Sequence, residues 1–309
     1  MQFDVRIEAP PYGTRLAFSP DGRVLAFAAG DWNTVLVRLW DTASGKELCR
    51  YAGHRESVGA LMFCPDGKLV ASGSAFHFQK DHSVHVWEAA TGRLIRCFDG
   101  HRSGVGGVAF SPDGLTAAGD GWDSTILLWD ITGRRLDGRW HARALPPHEL
   151  DDYWATLAGE DTARAYDAVW KLVASPEQAV ALLRKHLSAL PRPDTQRVAR
   201  LLAELDSDDF MVRQRAAEEL GKFGDAIVPE LRRALDAKPP LETRRRVQQL
   251  LDQARDWTAD RLRDHRAIQA LEYIGSTQAK ELLERLARGA PGTHRTEEAK
   301  AVLRRLSRS

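Results

Sequence analysis

The chain repeats itself. Ser19-Pro20-Asp21-Gly22 runs on to Leu39-Trp40-Asp41, Cys64-Pro65-Asp66-Gly67 to Val86-Trp87-Glu88, and Ser111-Pro112-Asp113-Gly114 to Leu128-Trp129-Asp130. Around these marks lie short β-prone runs: Arg15–Phe18, Val24–Ala28 and Val35–Trp40; Val58–Phe63, Leu69–Ser72 and Ser83–Trp87; Val105–Phe110, Leu115–Ala118 and Thr125–Trp129. A fourth run follows each set, at Glu47–Tyr51, Leu94–Phe98 and Arg135–Arg139. In a Pro-Asp-Gly turn the proline presets φ and the glycine accepts the positive φ of a tight reversal. Short strands at regular spacing between turn signals predict an all-β architecture built from small sheets.

The copies stand about 45 residues apart, the period of β-propeller blades. Two further markers recur in phase, Gly53-His54 and Gly100-His101. Together with the turns and the Trp-acidic pairs they make residues 1–140 resemble the WD40 family. That resemblance implies a hydrogen-bonded tetrad of a loop His, a strand Ser or Thr, a turn Asp and a strand Trp. Carried over by position, the second blade has His54, Ser72, Asp81 and Trp87. The third has His101, Asp123 and Trp129, with Ala118 at the Ser position; the first keeps Trp40, with Phe27 and Thr34 at two of the others. These histidines are expected to serve the fold, since a buried polar network stabilises only when each member is satisfied.

Closed propellers use about 4–8 blades, and only three are legible, with one leading run near Phe3–Glu8. Open blade faces leave apolar surface wet. Three remedies are open: the chain is part of a longer propeller, which is the preferred expectation; blades of several copies associate; or the helical half folds over an open face.

At Leu145-Pro146-Pro147 the pattern changes. Apolar residues then recur at i, i+3, i+4 and i+7, as in Val198, Leu201, Leu202 and Leu205, the mark of amphipathic helices. Asp161, Ser175, Asp194, Ser207, Thr258 and Ser276 stand where helix starts need caps. The string Asp208 to Gly221, followed by Val228–Leu235, has counterparts about 50 residues to either side. It resembles HEAT-like repeats, which implies three units of an α-solenoid. The expected fold is therefore multidomain, all-β plus all-α: a partial WD40 β-propeller of three blades at 1–143 and a HEAT-like α-helical repeat domain at 144–309. The combination resembles bacterial WD40-repeat proteins.

Charge is balanced, 44 basic against 43 acidic residues, and residues 1–145 carry 16 of each. A polyanion binder should be basic, so nucleic acid is not the expected partner, although Arg232, Arg233 and Arg244-Arg245-Arg246 cluster in the helical half. Glu218, Glu219, Glu230 and Glu242 among them read as a salt-bridged face. Cys49, Cys64 and Cys97 have no metal-ligand spacing and read as reduced, buried thiols in a cytoplasmic protein. His77, His82 and His85 lack a carboxylate cluster, so no metal is expected, and no cofactor or catalytic motif is present in the sequence.

The strongest functional pattern is aromatic. The loop between the second and third runs of each blade carries Trp32, then Phe76 and Phe78 with His77, then Trp122. Trp is enriched at interface hot spots. The reading is a non-enzymatic scaffold or regulatory module with protein partners at these loops, no membrane span, and self-association through open propeller edges as a further option. The alternative is a nucleic-acid-binding or DNA-repair-type protein using the concave face of the helices.

Overall fold

The Pro-Asp-Gly turns close as their chemistry requires. The amides of Gly22, Gly67 and Gly114 each donate to the carbonyl of the residue three before, at 2.8 Å, and their φ values are +71°, +74° and +70°. The Asp Oδ1 then accepts the amide two residues on: Arg23 at 3.1 Å, Lys68 at 2.9 Å and Leu115 at 3.0 Å. Each turn joins the first two strands of an antiparallel sheet.

The computed structural model describes residues 15–30, 35–55, 57–75, 81–133, 135–136, 139–140 and 145–307. By contact the chain divides into two units, one of residues 1–142 with 160–170, the other of 143–159 with 171–309.

In the first unit, β1 (Arg15–Phe18), β2 (Val24–Gly30), β3 (Val35–Asp41) and β4 (Glu47–Tyr51) form a four-stranded sheet in that order. β5 (Val58–Phe63), β6 (Leu69–Ser74), β7 (Val84–Glu88) and β8 (Arg93–Phe98) form a second. β9 (Val105–Phe110), β10 (Thr116–Gly121) and β11 (Ile126–Asp130) form a third, of three strands. The fourth run expected there does not join it. β12 (Arg135–Leu136) and β13 (Arg139–Trp140) pair with each other as a separate hairpin. The expected run Phe3–Glu8 lies outside the described residues.

The first strands of successive sheets lie side by side, β1 by β5 and β5 by β9. This is the blade arrangement of a partial propeller. Strand residues alternate between two faces, and the register identifies them. One face carries the tryptophan: Trp40 opposite Leu25, Trp87 opposite Val70, Trp129 opposite Ala117. The other carries the residue before it, Leu39, Val86 or Leu128. The joint between blades one and two is apolar: Ala26, Ala28, Val37, Leu39 and Tyr51 meet Phe63, Val70 and Trp87 in one core.

Grouped with these blades is the start of α2 (Thr162–Val173). Arg93 donates to the Glu160 carbonyl at 2.5 Å and Arg96 to Asp167 at 2.5 Å. Tyr166 and Trp170 are buried on the same helix, ring edge against ring face at 5.8 Å.

In the second unit, helices alternate with short breaks: α1 (Pro147–Thr156), α3 (Pro176–His186), α4 (Thr195–Glu204), α5 (Phe210–Gly221), a 3-10 turn (Gly224–Ile227), α6 (Val228–Asp236), α7 (Leu241–Gln253), α8 (Ala259–Ile274), α9 (Thr277–Ala287) and α10 (His294–Leu306). Asp194, Thr258 and Ser276 cap helices as expected, and Asp161 accepts the Arg164 amide at 3.0 Å. Two caps differ. Asp209, not Ser207, caps α5, and Ser175 precedes α3 without a side-chain cap bond, Pro176 having removed one donor.

α4 to α7 share one core of Val198, Leu201, Leu205, Ala216, Leu220, Ile227, Leu231, Val247, Leu250 and Leu251. α8, α9 and α10 pack together, and α3 packs against α8 and α9. Arg266, inside α8 and 1% exposed, donates to the carbonyls of Leu157 at 2.7 Å and Gly159 at 2.9 Å just past α1. There it meets the negative end of the helix dipole.

Candidate functional site

His54 follows β4 directly, so the chain brings it from the first blade onto the second. Its Nε2 lies 2.8 Å from Ser72 Oγ on β6. The Trp87 indole on β7 donates to the same hydroxyl at 3.3 Å. On the other side of the ring, Nδ1 stands 3.4 Å from Asp81 Oδ2. The structure thus brings His54, Ser72, Asp81 and Trp87 together.

It also extends the network to residues not anticipated from sequence. The Ser83 hydroxyl donates to Asp81 at 2.5 Å and lies 2.9 Å from His85 Nε2. The other nitrogen of His85 lies 2.6 Å from the hydroxyl of Tyr51, a residue of the first blade. Tyr51 stacks on Trp87 at 5.2 Å, and His54 on His85 at 4.0 Å. The network therefore straps two blades. The signal was present: Ser83 and His85 stand two and four residues after Asp81, so alternation along the strand turns them to the same face.

Electrostatics follow from burial. Burial alone would raise the Asp81 carboxyl; the His54 ring, the Ser83 hydroxyl and the Arg55 amide outweigh it and hold the group well below the usual carboxylate range. Burial, then the neighbouring His54, pushes His85 down to about 4, against the pull of Asp81. Burial, then Glu47 and Glu88, raises the Cys49 thiol to about 12. The cysteine expectation needs correcting, because Cys97 is exposed and Cys49 is only half-buried.

His54, Asp81 and His85 place ligand-type atoms within 4.8 Å of one another. His54 Nε2 and both nitrogens of His85 are already committed to Ser72, Tyr51 and Ser83. A cation there would have to displace hydrogen bonds that hold the blade.

The third blade has a thinner network. His101 Nδ1 lies 3.4 Å from Asp123 and 3.1 Å from Thr125 Oγ1, and Asp123 accepts the Arg102 amide at 2.6 Å. That amide, with the Thr125 hydroxyl, holds the Asp123 carboxyl well below the usual range. Among the described residues, His101 Nε2 is buried without a hydrogen-bond partner. The register explains this and corrects the sequence reading. Trp87 is opposite Val70, two residues before Ser72; Trp129 is opposite Ala117, two before Gly119. The Ser position is therefore Gly119, not Ala118, and glycine offers no hydroxyl. In the first blade Trp40 is half-buried and Phe27 takes the same position.

Of the loop aromatics, Trp122 lies among the described residues and is 53% exposed. Its amide donates to the Gly104 carbonyl at 2.9 Å. Its ring nitrogen would stand 3.1 Å from a Cβ at Gly106, and Asp120 Oδ2 2.9 Å from it, so the glycine admits both side chains. Trp32, Phe76, His77 and Phe78 lie outside the described residues.

The family model "WD domain, G-beta repeat" matches residues 45–88 and 92–130. The first unit carries WD40 repeats. In the second unit, "PBS lyase HEAT-like repeat" matches residues 212–237, which cover most of α5 and α6. The chain is similar to intraflagellar transport protein 122 homolog of Danio rerio, 48% identical over 60 residues, 19% of this chain and 5% of that protein. It is also similar to small ribosomal subunit protein RACK1y of Oryza sativa subsp. japonica, 35% identical over 160 residues, 50% of this chain and 33% of that protein. A solved structure, the computationally designed Ika8 protein, is 30% identical with a TM-score of 0.30, over 35% of this chain and 30% of its own. The chain thus matches at most a third of the length of these proteins. Among the described residues no helix is long and apolar enough to cross a membrane.

Proposed function

We propose that the chain is a non-enzymatic protein-interaction module, in which WD40 blades present a loop surface and the HEAT-like helices a second one. The observation that carries this is Trp122, a large aromatic left 53% exposed on a loop fixed by its own backbone hydrogen bond to Gly104. An anchored, exposed Trp loses little freedom on binding, which suits a hot spot. Trp32, Phe76, His77 and Phe78 would continue the surface on neighbouring blades. The WD40 relatives, among them RACK1y, favour the same reading. His54, Ser72, Asp81, Trp87, His101, Asp123, Trp129 and Trp40 then serve the scaffold rather than a reaction. Residues 1–143 and 144–309 are the two proposed functional domains, in a longer or self-associating propeller and in a cytoplasmic, bacterial setting.

The nucleic-acid alternative is less well supported. Arg233 pairs with Glu230 and Arg246 with Glu242, at 2.7 and 2.9 Å, so two cations of the cluster are already matched. The test is quantitative affinity capture with wild-type chain and with Trp122→Ala, beside a DNA-binding titration at low salt. Partner loss on Trp122→Ala is expected. Tight, salt-dependent DNA binding would favour the alternative instead.

A further inference from the structure

The helical unit contains a cleft of about 180 Å³ where the end of α7, the start of α8, the start of α10 and the 3-10 turn Gly224–Ile227 converge. Its walls are mixed. Asp225, Asp256, Arg261, Asp264 and Arg295 stand beside the apolar Leu190 and Ala254.

Two of the charges cancel. Arg295 donates to Asp264 Oδ2 from Nε at 2.8 Å and from Nη2 at 2.6 Å, and both side chains are mostly buried. Arg261 has no such partner. Its Nη1 donates to the Ala254 carbonyl at 2.7 Å, and its guanidinium lies 4.8 Å from the centre of the Trp257 ring. Among the described residues its Nε is buried without a hydrogen bond, and no carboxylate forms an ion pair with the group. Burial pulls Arg261 below its ordinary pKa, while Asp225 and Asp256 act from farther away in the opposite sense. Asp225 is fixed by the His294 amide, which donates to Oδ2 at 2.6 Å, and Asp256 is exposed.

A largely buried cation that no carboxylate touches carries a desolvation cost that an anionic group can offset. A simple anion would bring its charge towards Asp225 and Asp256 as well, and a simple cation would bring its own towards Arg261. The walls suit a ligand that carries both signs. Volume sets its size. A cavity of about 150 Å³ takes benzene, so this one takes a molecule of about six to nine non-hydrogen atoms. Leu190 and Ala254 give a short side chain an apolar wall.

We propose that this cleft binds a small free α-amino acid as its zwitterion, the carboxylate on Arg261 and the ammonium towards Asp225 and Asp256. The guanidinium is already oriented by Ala254 and Trp257, so little freedom is lost when it takes a carboxylate. A residue inside a peptide has neither terminal charge, and a chain end has one, so each would satisfy the walls less well than a free amino acid. The site belongs to the helical unit and is independent of Trp122.

The experiment is isothermal titration calorimetry of the full 309-residue chain with glycine, L-alanine and L-serine, beside acetate, methylammonium and inorganic phosphate. The expected result is binding of at least one of the amino acids with a Kd of about 1 mM or tighter, inside the ceiling for a ligand of that size. Acetate, methylammonium and phosphate should bind at least about tenfold more weakly, since each meets only one sign of the walls. Arg261→Gln, and Asp225→Asn paired with Asp256→Asn, should each weaken the amino acid at least about tenfold. The asparagine pair keeps an acceptor for the His294 amide, so it decides the matter if Arg261→Gln fails to fold; a thermal melt of each variant checks this. No binding of any of the three amino acids at about 10 mM overturns the proposal. So does acetate or phosphate bound as tightly as the amino acid, which would make this a plain anion site, or amino-acid binding that a folded variant leaves unchanged. None of these results bears on capture through Trp122.

Discussion

The imidazole rings of His54 and His85 stack with centroids 4.0 Å apart and planes 10° from parallel, inside the joint between the first two blades. Neither ring has room for a hydration shell. Burial and the neighbouring ring oppose a charge on His85, which falls from its ordinary 6.5 to about 4.

That shift makes the fold sensitive to acid. A histidine held neutral when folded takes up its proton more readily when unfolded. Its contribution is complete above pH 6.5, declines as pH falls towards about 4, and is lost below it. Asp81, held well below its ordinary 3.8, adds a second loss below that pH, in the same direction. Over the His85 window the loss is at most about 3 kcal/mol. Urea midpoints measured from pH 7 to pH 4 should fall steadily in wild type and less steeply in His85→Gln. Equal slopes for the two proteins would contradict this assignment.

Gly119 can be asked to supply the missing hydroxyl. A Cβ there would stand 3.0 Å from Trp129 Cζ3, so the indole must yield by a few tenths of an ångström. Gly119→Ala bears that cost without return. Gly119→Ser bears it and gives His101 Nε2 a partner. The serine variant should exceed the alanine variant by about 1 kcal/mol in chemical denaturation. Indistinguishable variants would mean that His101 is satisfied in another way.

Arg266 ties the middle of α8 to the carbonyls that follow α1. Arg266→Met keeps the volume and leaves those acceptors without this donor, at a cost of about 1–3 kcal/mol. Arg266→Lys should lie between. Thermal melts of the three proteins rank them, and a methionine variant as stable as wild type would refute the role.

Much of this was legible in the sequence because turns and strand alternation are local. The Pro-Asp-Gly turns and the runs around them placed the blade strands, and the WD40 resemblance, carried over by position, supplied His54, Ser72, Asp81 and Trp87. What failed depended on register and on distant partners. Ala118 and Gly119 differ by one residue, and a slip of one turns a side chain to the other face. Arg135–Arg139 has strand composition, but its pairing with itself rather than with Ile126–Asp130 is decided by neighbours the run does not encode. Helical periodicity shows that α3 has an apolar face, not that α8 and α9 cover it. The strap through Ser83 and His85 to Tyr51 needed the blade joint itself.

The interaction reading stands most directly on Trp122. Its exposed ring predicts that Trp122→Ala changes stability by less than about 1 kcal/mol, so binding can be read apart from folding. The decisive measurement is affinity capture on immobilised wild-type and Trp122→Ala chains of matched melting temperature, quantified by mass spectrometry. The expected result is a small set of proteins held by wild type and reduced at least about tenfold by the substitution, as loss of a hot spot requires. The same proteins retained in equal amount by both chains would contradict it.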